Sequence, residues 1–238
     1  MFKTIKRSHI LIGIVLLVLI VDQCIKIWVK TTLPYGTGFN ILGLEWARIH
    51  FVENEGMAFG ITFGNKCIGI TSNGSCKGIM LTPAAGKLIL SSFRIVMVGF
   101  LFYIIRELNK AKESLGLLIS FSLILAGAIG NILDSMFYGL VFSDSPYHSG
   151  IAEFLPEAGG YAPFLFGKVV DMFYFPMVDT VLPEWLPFWG GSRFEFFRPV
   201  FNVADSSITV GVSMILLFHR QFLKQPIKPR EEESSEEE

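Results

Sequence analysis

Four stretches of this chain are apolar over the length a lipid bilayer demands, and no other feature narrows the fold as far. A hydrocarbon core of roughly 30 Å takes about 20 predominantly apolar helical residues. The stretches are residues 8–30, with a run free of polar side chains from Ile10 to Val21, then 83–106, 115–138 and 201–222. With no water to satisfy the backbone at that depth, each reads as a helix. The second opens Thr82-Pro83, a cap followed by a first-turn proline. Composition agrees: 17% of residues are charged, against about 25% in an ordinary soluble domain. Such hydrophobicity excludes a disordered chain. A formal net charge of -1 leaves no basic excess to meet nucleic acid. Three cysteines are too few for a disulfide scaffold.

Basic residues near span ends set orientation. Lys3, Lys6 and Arg7 precede the first span, Arg106, Lys110 and Lys112 join the second to the third, and Arg220, Lys224, Lys228 and Arg230 follow the fourth. With four spans all three clusters fall on one side, so both termini are expected to be cytoplasmic. Two long segments, about 31–82 and 139–200, then lie outside. Lys3–Val21 has the look of a signal peptide, and Cys24 of a lipoprotein cysteine. Gln23 stands where a small residue is needed and no small-x-small site follows, so an uncleaved span is expected.

The expected fold is thus a mainly α membrane protein with four transmembrane helices, short extracytoplasmic β-strands and interfacial segments. Residues 1–224 form one domain, and 225–238 an acidic cytoplasmic tail. Ala47–Val52 partly alternates apolar and polar residues, a strand signal. The second outer segment is rich in Pro, Gly and aromatic residues, which favour the membrane interface. Cys67 and Cys76 both fall in the first outer segment and are expected to form a disulfide on an oxidising face. Cys24, within a span, is expected to pack.

Ionisable groups in spans are expensive and usually functional. Asp22 and Lys26 lie one turn apart on one helical face and either compensate each other or brace a polar site. Arg94 lies in the second span. In the third, Ala126, Gly127 and Gly130 form a small face that permits close helix contact, and Asn131 and Asp134 share a face that packing alone does not explain. Asp171 follows two β-branched residues. Asn202 is placed to cap the fourth span, with Asp205 in its first turn. Asp22, Asp134, Asp171 and Asp205 all fall at or beside the outer ends of spans. Two close carboxylates share one proton, so one can activate water while the other protonates a carbonyl. Which two do so is left open by spacing: Asp134 with Asp205 fits as well as any. The four histidines lack metal-ligand spacing, and no phosphate loop or dinucleotide fingerprint appears, so neither metal nor cofactor is expected.

Five motifs, in order, now resemble one family: Asp22-Gln23-Cys24-Ile25-Lys26, Asn54-Glu55-Gly56-Met57-Ala58-Phe59, Gly127 to Asp134 (GAIGNILD), Val169-Val170-Asp171-Met172-Phe173, and Phe201-Asn202-Val203-Ala204-Asp205-Ser206. They are similar to those of the bacterial lipoprotein signal peptidases, or signal peptidase II. The resemblance implies an inner-membrane aspartyl endopeptidase with its active site near the outer face. It would cleave prolipoproteins before a diacylglyceryl-modified cysteine and be blocked by globomycin. It makes Asp171 and Asp205 the catalytic pair, with Asp134 supporting. Asn54, Gly56, Asn131 and Asn202 would line the site, and Asp22 and Lys26 support it. Membrane lipids and prolipoproteins are the expected partners, and a monomer the expected state.

Two departures stand out. The family usually carries Arg directly after the aspartate matched by Asp134, and here stands Ser135. Arg94, Arg193 and Arg198 are the candidate counter-cations. The second departure is about 30 residues, Phe137–Lys168, where the family has a short link. A proton-coupled carrier would instead place acids near the midplane within inverted repeats, and none is found. A non-enzymatic scaffold would tolerate Asp→Asn changes.

Overall fold

The computed structural model describes residues 6–54, 66–70, 76–81, 83–185, 187, 190–196 and 199–222, with backbone only at 66–70, 76–81, 83, 178–179 and 193–196. Gly56, Arg198 and the acidic tail 225–238 lie outside the described residues, and the side chains of Arg193, Cys67 and Cys76 outside the described atoms.

Helix α1 is Arg7–Lys30, α2 is Pro83–Lys110 and α3 is Leu115–Leu133. Helix α3 continues through a π-helical turn, Asp134–Tyr138, into the short α4, Gly139–Val141. Among the described residues, three helices are long and apolar enough to cross a bilayer: Arg7–Lys30, Ala84–Lys110 and the continuous Leu115–Val141. The fourth expected span is a shorter apolar helix, α5, Val203–Phe218. Its 16 residues rise about 24 Å. It starts later than 201 because Val200–Phe201 is drawn into a strand and Asn202 caps the helix.

Helix α3 is central and packs on α1, α2 and α5. Its small face allows this. A Cβ on Gly127 would sit 2.2 Å from the Ala204 carbonyl oxygen, and one on Gly130 would sit 2.8 Å from an Asp22 carboxylate oxygen. Leu101, Leu108, Leu117, Leu118, Phe121 and Ile215 fill the core between the helices. Leu16, Leu17, Ile20, Phe93, Val96, Phe102 and Leu217 remain exposed, an apolar exterior that lipid would solvate. Cys24 is exposed too, contrary to its expected packing, because Asp22 and Lys26 take the inward face of α1.

The two outer segments meet in one antiparallel four-stranded sheet, order β1-β2-β5-β8. The strands are β1 (Gly38–Asn40), β2 (Arg48–Asn54), β5 (Val169–Tyr174) and β8 (Val200–Phe201). Two separate two-stranded sheets are also present among the described residues, β3 (Lys66–Ile70) with β4 (Cys76–Leu81) and β6 (Val178–Val181) with β7 (Arg193–Phe196). In the first, Cys67 lies opposite Met80 and Cys76 opposite Ile70. A second core of Val29, Phe51, Tyr138, Phe142, Val170 and Met172 joins the sheet to the helix ends.

Candidate active site

Asp171 lies on the central strand β5, only 3% exposed. Its neighbour β2 carries a bulge: Ile49 pairs with Phe173, but two residues of β5 later it is Val52, not Phe51, that faces Asp171. A one-residue slip exchanges the faces of a strand. The bulge therefore puts Asn54, rather than Glu53, on the face of Asp171. Asn54 donates its side-chain N–H to Asp171 Oδ2 at 3.2 Å.

Asp205 reaches the same place from α5. Asn202 and Asp205 form a reciprocal capping box, in which Asp205 N–H donates to Asn202 Oδ1 at 2.9 Å and Asn202 N–H donates to Asp205 Oδ2 at 3.3 Å. Such boxes satisfy helix N-termini that otherwise lack partners. The Asn202 amide, fully buried, also donates to Asp171 Oδ1 at 2.7 Å and to Asn131 Oδ1 at 3.1 Å. Asn131 in turn donates to Asp205 Oδ1 at 2.8 Å. Two asparagines thus tie the carboxylates of β5 and α5 together.

Beneath them lies a buried ionic cluster. Lys26 Nζ is 2.8 Å from Asp22 Oδ2 and 2.8 Å from Asp134 Oδ2, and all three residues are 0% exposed. Lys26 also donates to Asn131 Oδ1 at 3.0 Å. Asp22 Oδ1 accepts the Ala204 backbone N–H at 2.8 Å, and Asp134 Oδ2 accepts that of Val170 at 3.4 Å. Each supporting acid therefore anchors the backbone next to one member of the Asp171–Asp205 pair. Gln23 spans both, donating to Asp22 and Asp134 and accepting from Tyr138. The π-helical turn turns carbonyls outward, and Ser135 O accepts the Gly167 N–H at 2.9 Å. Only glycine fits there, since a Cβ would lie 2.1 Å from the Asp134 carbonyl oxygen.

Arg94 Nη1 donates to Ser135 Oγ at 3.3 Å, and that hydroxyl donates to Asn131 O. Arg193 lies on β7, in register with Val181.

Reading the sequence missed a second buried cluster. Lys30, 0% exposed, pairs with Glu53 and donates to Ser145 Oγ at 2.8 Å. Lys168 approaches Glu53 at 3.4 Å and Asp144 at 3.3 Å. Phe142 and Tyr161 place their rings within 5.4 Å and 5.2 Å of Lys30 Nζ. The cluster fastens the long Phe137–Lys168 segment to β2, one residue from Asn54. Lys30 sits one turn beyond Lys26, and that i,i+4 spacing was the available signal.

Burial, and after it the charge of Asp205, push the Asp171 carboxyl up to about 7, against the opposing pull of the Asn54 amide, the Lys26 charge and the Asn202 amide. A carboxyl in that state holds a proton near neutrality. In general, a protonated carboxyl beside an ionised one can serve as acid while its neighbour serves as base. Among the described residues no group of three or more His, Cys, Asp or Glu is arranged to hold a metal ion.

The family model described as Signal peptidase (SPase) II matches residues 14–220. A lipoprotein signal peptidase of Porphyromonas gingivalis is 46% identical over 212 residues, covering 89% of this chain and 83% of that protein. One from Amoebophilus asiaticus is 32% identical over 225 residues, covering 92% and 81%. A solved structure of a bacterial membrane enzyme, 22% identical, shares the fold with a TM-score of 0.54 over 94% of this chain and 95% of that one. A match over most of the chain, with a relative at nearly half identity, is decisive: the chain belongs to the signal peptidase II family.

Proposed function

We propose that this protein is a membrane aspartyl endopeptidase that removes signal peptides from prolipoproteins, with Asp171 and Asp205 as its catalytic pair. The observation that carries this reading is the Asn202 link. One amide holds Asp171 while the same side chain caps the helix that presents Asp205. Family membership supports the substrate class.

The chain crosses the bacterial inner membrane four times, both termini cytoplasmic and the site near the outer face. Apolar helices and the three basic clusters support that orientation. The acyl chains of the substrate lie between helices, and its extended peptide runs beside the outer strands. One carboxylate of the pair takes a proton from water, whose oxygen attacks the carbonyl before the modified cysteine. The protonated partner donates to the carbonyl oxygen. On collapse the C–N bond breaks, the cysteine nitrogen takes the proton from the base, and the new hydroxyl returns one to the acid. Asn54, Asn131 and Asn202 keep both carboxylates in place, and Gly56 is assigned to the site through its family motif alone. The reaction needs no cofactor, a monomer suffices, and globomycin competes for the site.

Purified Asp171→Asn and Asp205→Asn variants test this. Both are expected to fold and bind globomycin while losing turnover. Cleavage at the native rate by either variant contradicts the assignment.

A further inference from the structure

Resting on the catalytic pair proposed above, we infer that Glu53 is a positioning residue: fastened by the Phe137–Lys168 segment, it holds the end of β2 where Asn54 reaches Asp171. Asn54 is the last residue of β2. It pairs with Val169, while Asp171 pairs with Val52. The 3.2 Å bond from Asn54 to Asp171 Oδ2 therefore runs diagonally across the ladder. Diagonal neighbours in a sheet stand about 7–8 Å apart, a wide gap for two short side chains. The bond thus depends on how firmly the strand end is held, and strand ends are where local opening starts.

Successive strand residues face opposite ways, so the Glu53 side chain leaves the sheet on the face opposite Asn54. There it is buried, pairs with Lys30 from α1, accepts the Ser145 hydroxyl at 2.9 Å and lies 3.4 Å from Lys168 Nζ. Glu53 itself pairs with Val170, so the contact with Lys168 is a second diagonal. It crosses the Asn54–Asp171 diagonal on the other face of the same ladder end. The long segment supplies the rest of the clamp. Lys168 N–H donates to the Tyr161 hydroxyl at 2.6 Å, and the Tyr161 ring lies 5.3 Å from Lys168 Nζ and 5.2 Å from Lys30 Nζ. A buried ion pair seldom adds net stability and is best attested as a device that fixes register. Register is what Asn54 needs, because a one-residue slip of β2 would turn it away from Asp171.

The test uses the full chain in detergent with Asn54→Ala, Glu53→Ala and the two combined. One readout is kcat and KM for a diacylglyceryl-modified prolipopeptide. The other is the infrared band of the protonated Asp171 carboxyl, assigned by its loss in Asp171→Asn, which needs no turnover. It is recorded at a pH below about 7, where that carboxyl holds its proton. Asn54→Ala removes the donated bond and is expected to shift the band and to lower kcat about tenfold. Glu53→Ala is expected to shift the band in the same direction and to lower kcat by about the same factor, with KM kept within about twofold. Because Glu53 acts through Asn54, the double variant is expected to match Asn54→Ala in the band and, within about twofold, in kcat. Independent effects would multiply to about 100-fold. That product, or a band left unmoved by Glu53→Ala, shows a merely structural Glu53 and overturns the inference. If Glu53→Ala does not fold because Lys30 is stranded, Glu53→Ala with Lys30→Met takes its place in the same comparison. If folded native protein lacks peptidase activity, the functional reading fails, while the band in the single and double variants still decides whether Glu53 acts on Asp171 through Asn54.

Discussion

The Asn202 side chain lies 2.7 Å from Asp171 and simultaneously caps the helix that carries Asp205. One buried amide therefore sets the separation of two carboxylates that come from a strand and a helix. Losing it removes a helix cap, worth about 1 kcal/mol, and leaves buried acceptors unpaired. Asn202→Ala is expected to lower cleavage at least about 100-fold, because transition-state geometry depends on placement to within about 1 Å. Its thermal midpoint is expected to fall by only a few degrees. Steady-state kinetics beside thermal unfolding in detergent separates the two effects.

Protonation of Asp171 also makes stability depend on pH. Its folded carboxyl is raised to about 7, above the ordinary 3.8. Between these values the folded state binds more protons than the unfolded chain. Stability contributed by that proton is complete below about 4 and is lost as pH rises to about 7. Asp171→Asn is expected to flatten this slope, so the variant gains on the native protein between pH 5 and 8. Thermal midpoints of both proteins across that range check it.

Lys26 neutralises two buried acids at once. Lys26→Met leaves both without their cation and is expected to cost about 3–5 kcal/mol, as breaking a buried pair does. Adding Asp134→Asn in the same chain is expected to recover part of the loss, since one uncompensated charge disappears. Unfolding by denaturant of the single and double variants gives the comparison.

The close approach of α3 and α5 is set by Gly127. A methyl group there would lie 2.2 Å from the Ala204 carbonyl, one residue before Asp205. Gly127→Ala is expected to displace the first turn of α5 and reduce kcat by more than tenfold, since misplacement of a catalytic group by about 1 Å can cost 100-fold. Gly13→Ala, which meets nothing within 4 Å, serves as the control and is expected to be silent.

Glu53 holds Lys30, Ser145 and Lys168 together beside Asn54. Glu53→Ala strands a buried Lys30 and is expected to loosen the Phe137–Lys168 segment. Faster amide hydrogen exchange in 142–168 and in β2, with exchange in α3 unchanged, is the expected result.

The helices were legible because apolar length alone dictates them, as in α1, Arg7–Lys30. Helix α5 was read too long at both ends. Hydropathy cannot see that Phe201 pairs with Phe173 in a sheet, nor that the helix stops at Phe218. The capping role of Asn202 was legible because Asn followed three residues later by Asp is a local signal. The position of Asp171 on a central strand was not, since pairing between β2 and β5 joins residues more than a hundred apart. The bulge that turns Asn54 toward Asp171 left no local trace. Lys30 and Glu53 were missed for a related reason: each looks like an ordinary surface charge until the long outer segment covers it.

The most direct test is cleavage of a diacylglyceryl-modified prolipopeptide by the purified protein, with products identified by mass spectrometry. The unmodified peptide and the Asp205→Asn variant run in parallel. The predicted result is one cut, immediately before the modified cysteine, absent for the unmodified peptide, absent for the variant and abolished by globomycin. No cut by folded native protein, a cut elsewhere, or cleavage that survives Asp205→Asn would contradict an aspartyl pair acting on lipid-modified substrates.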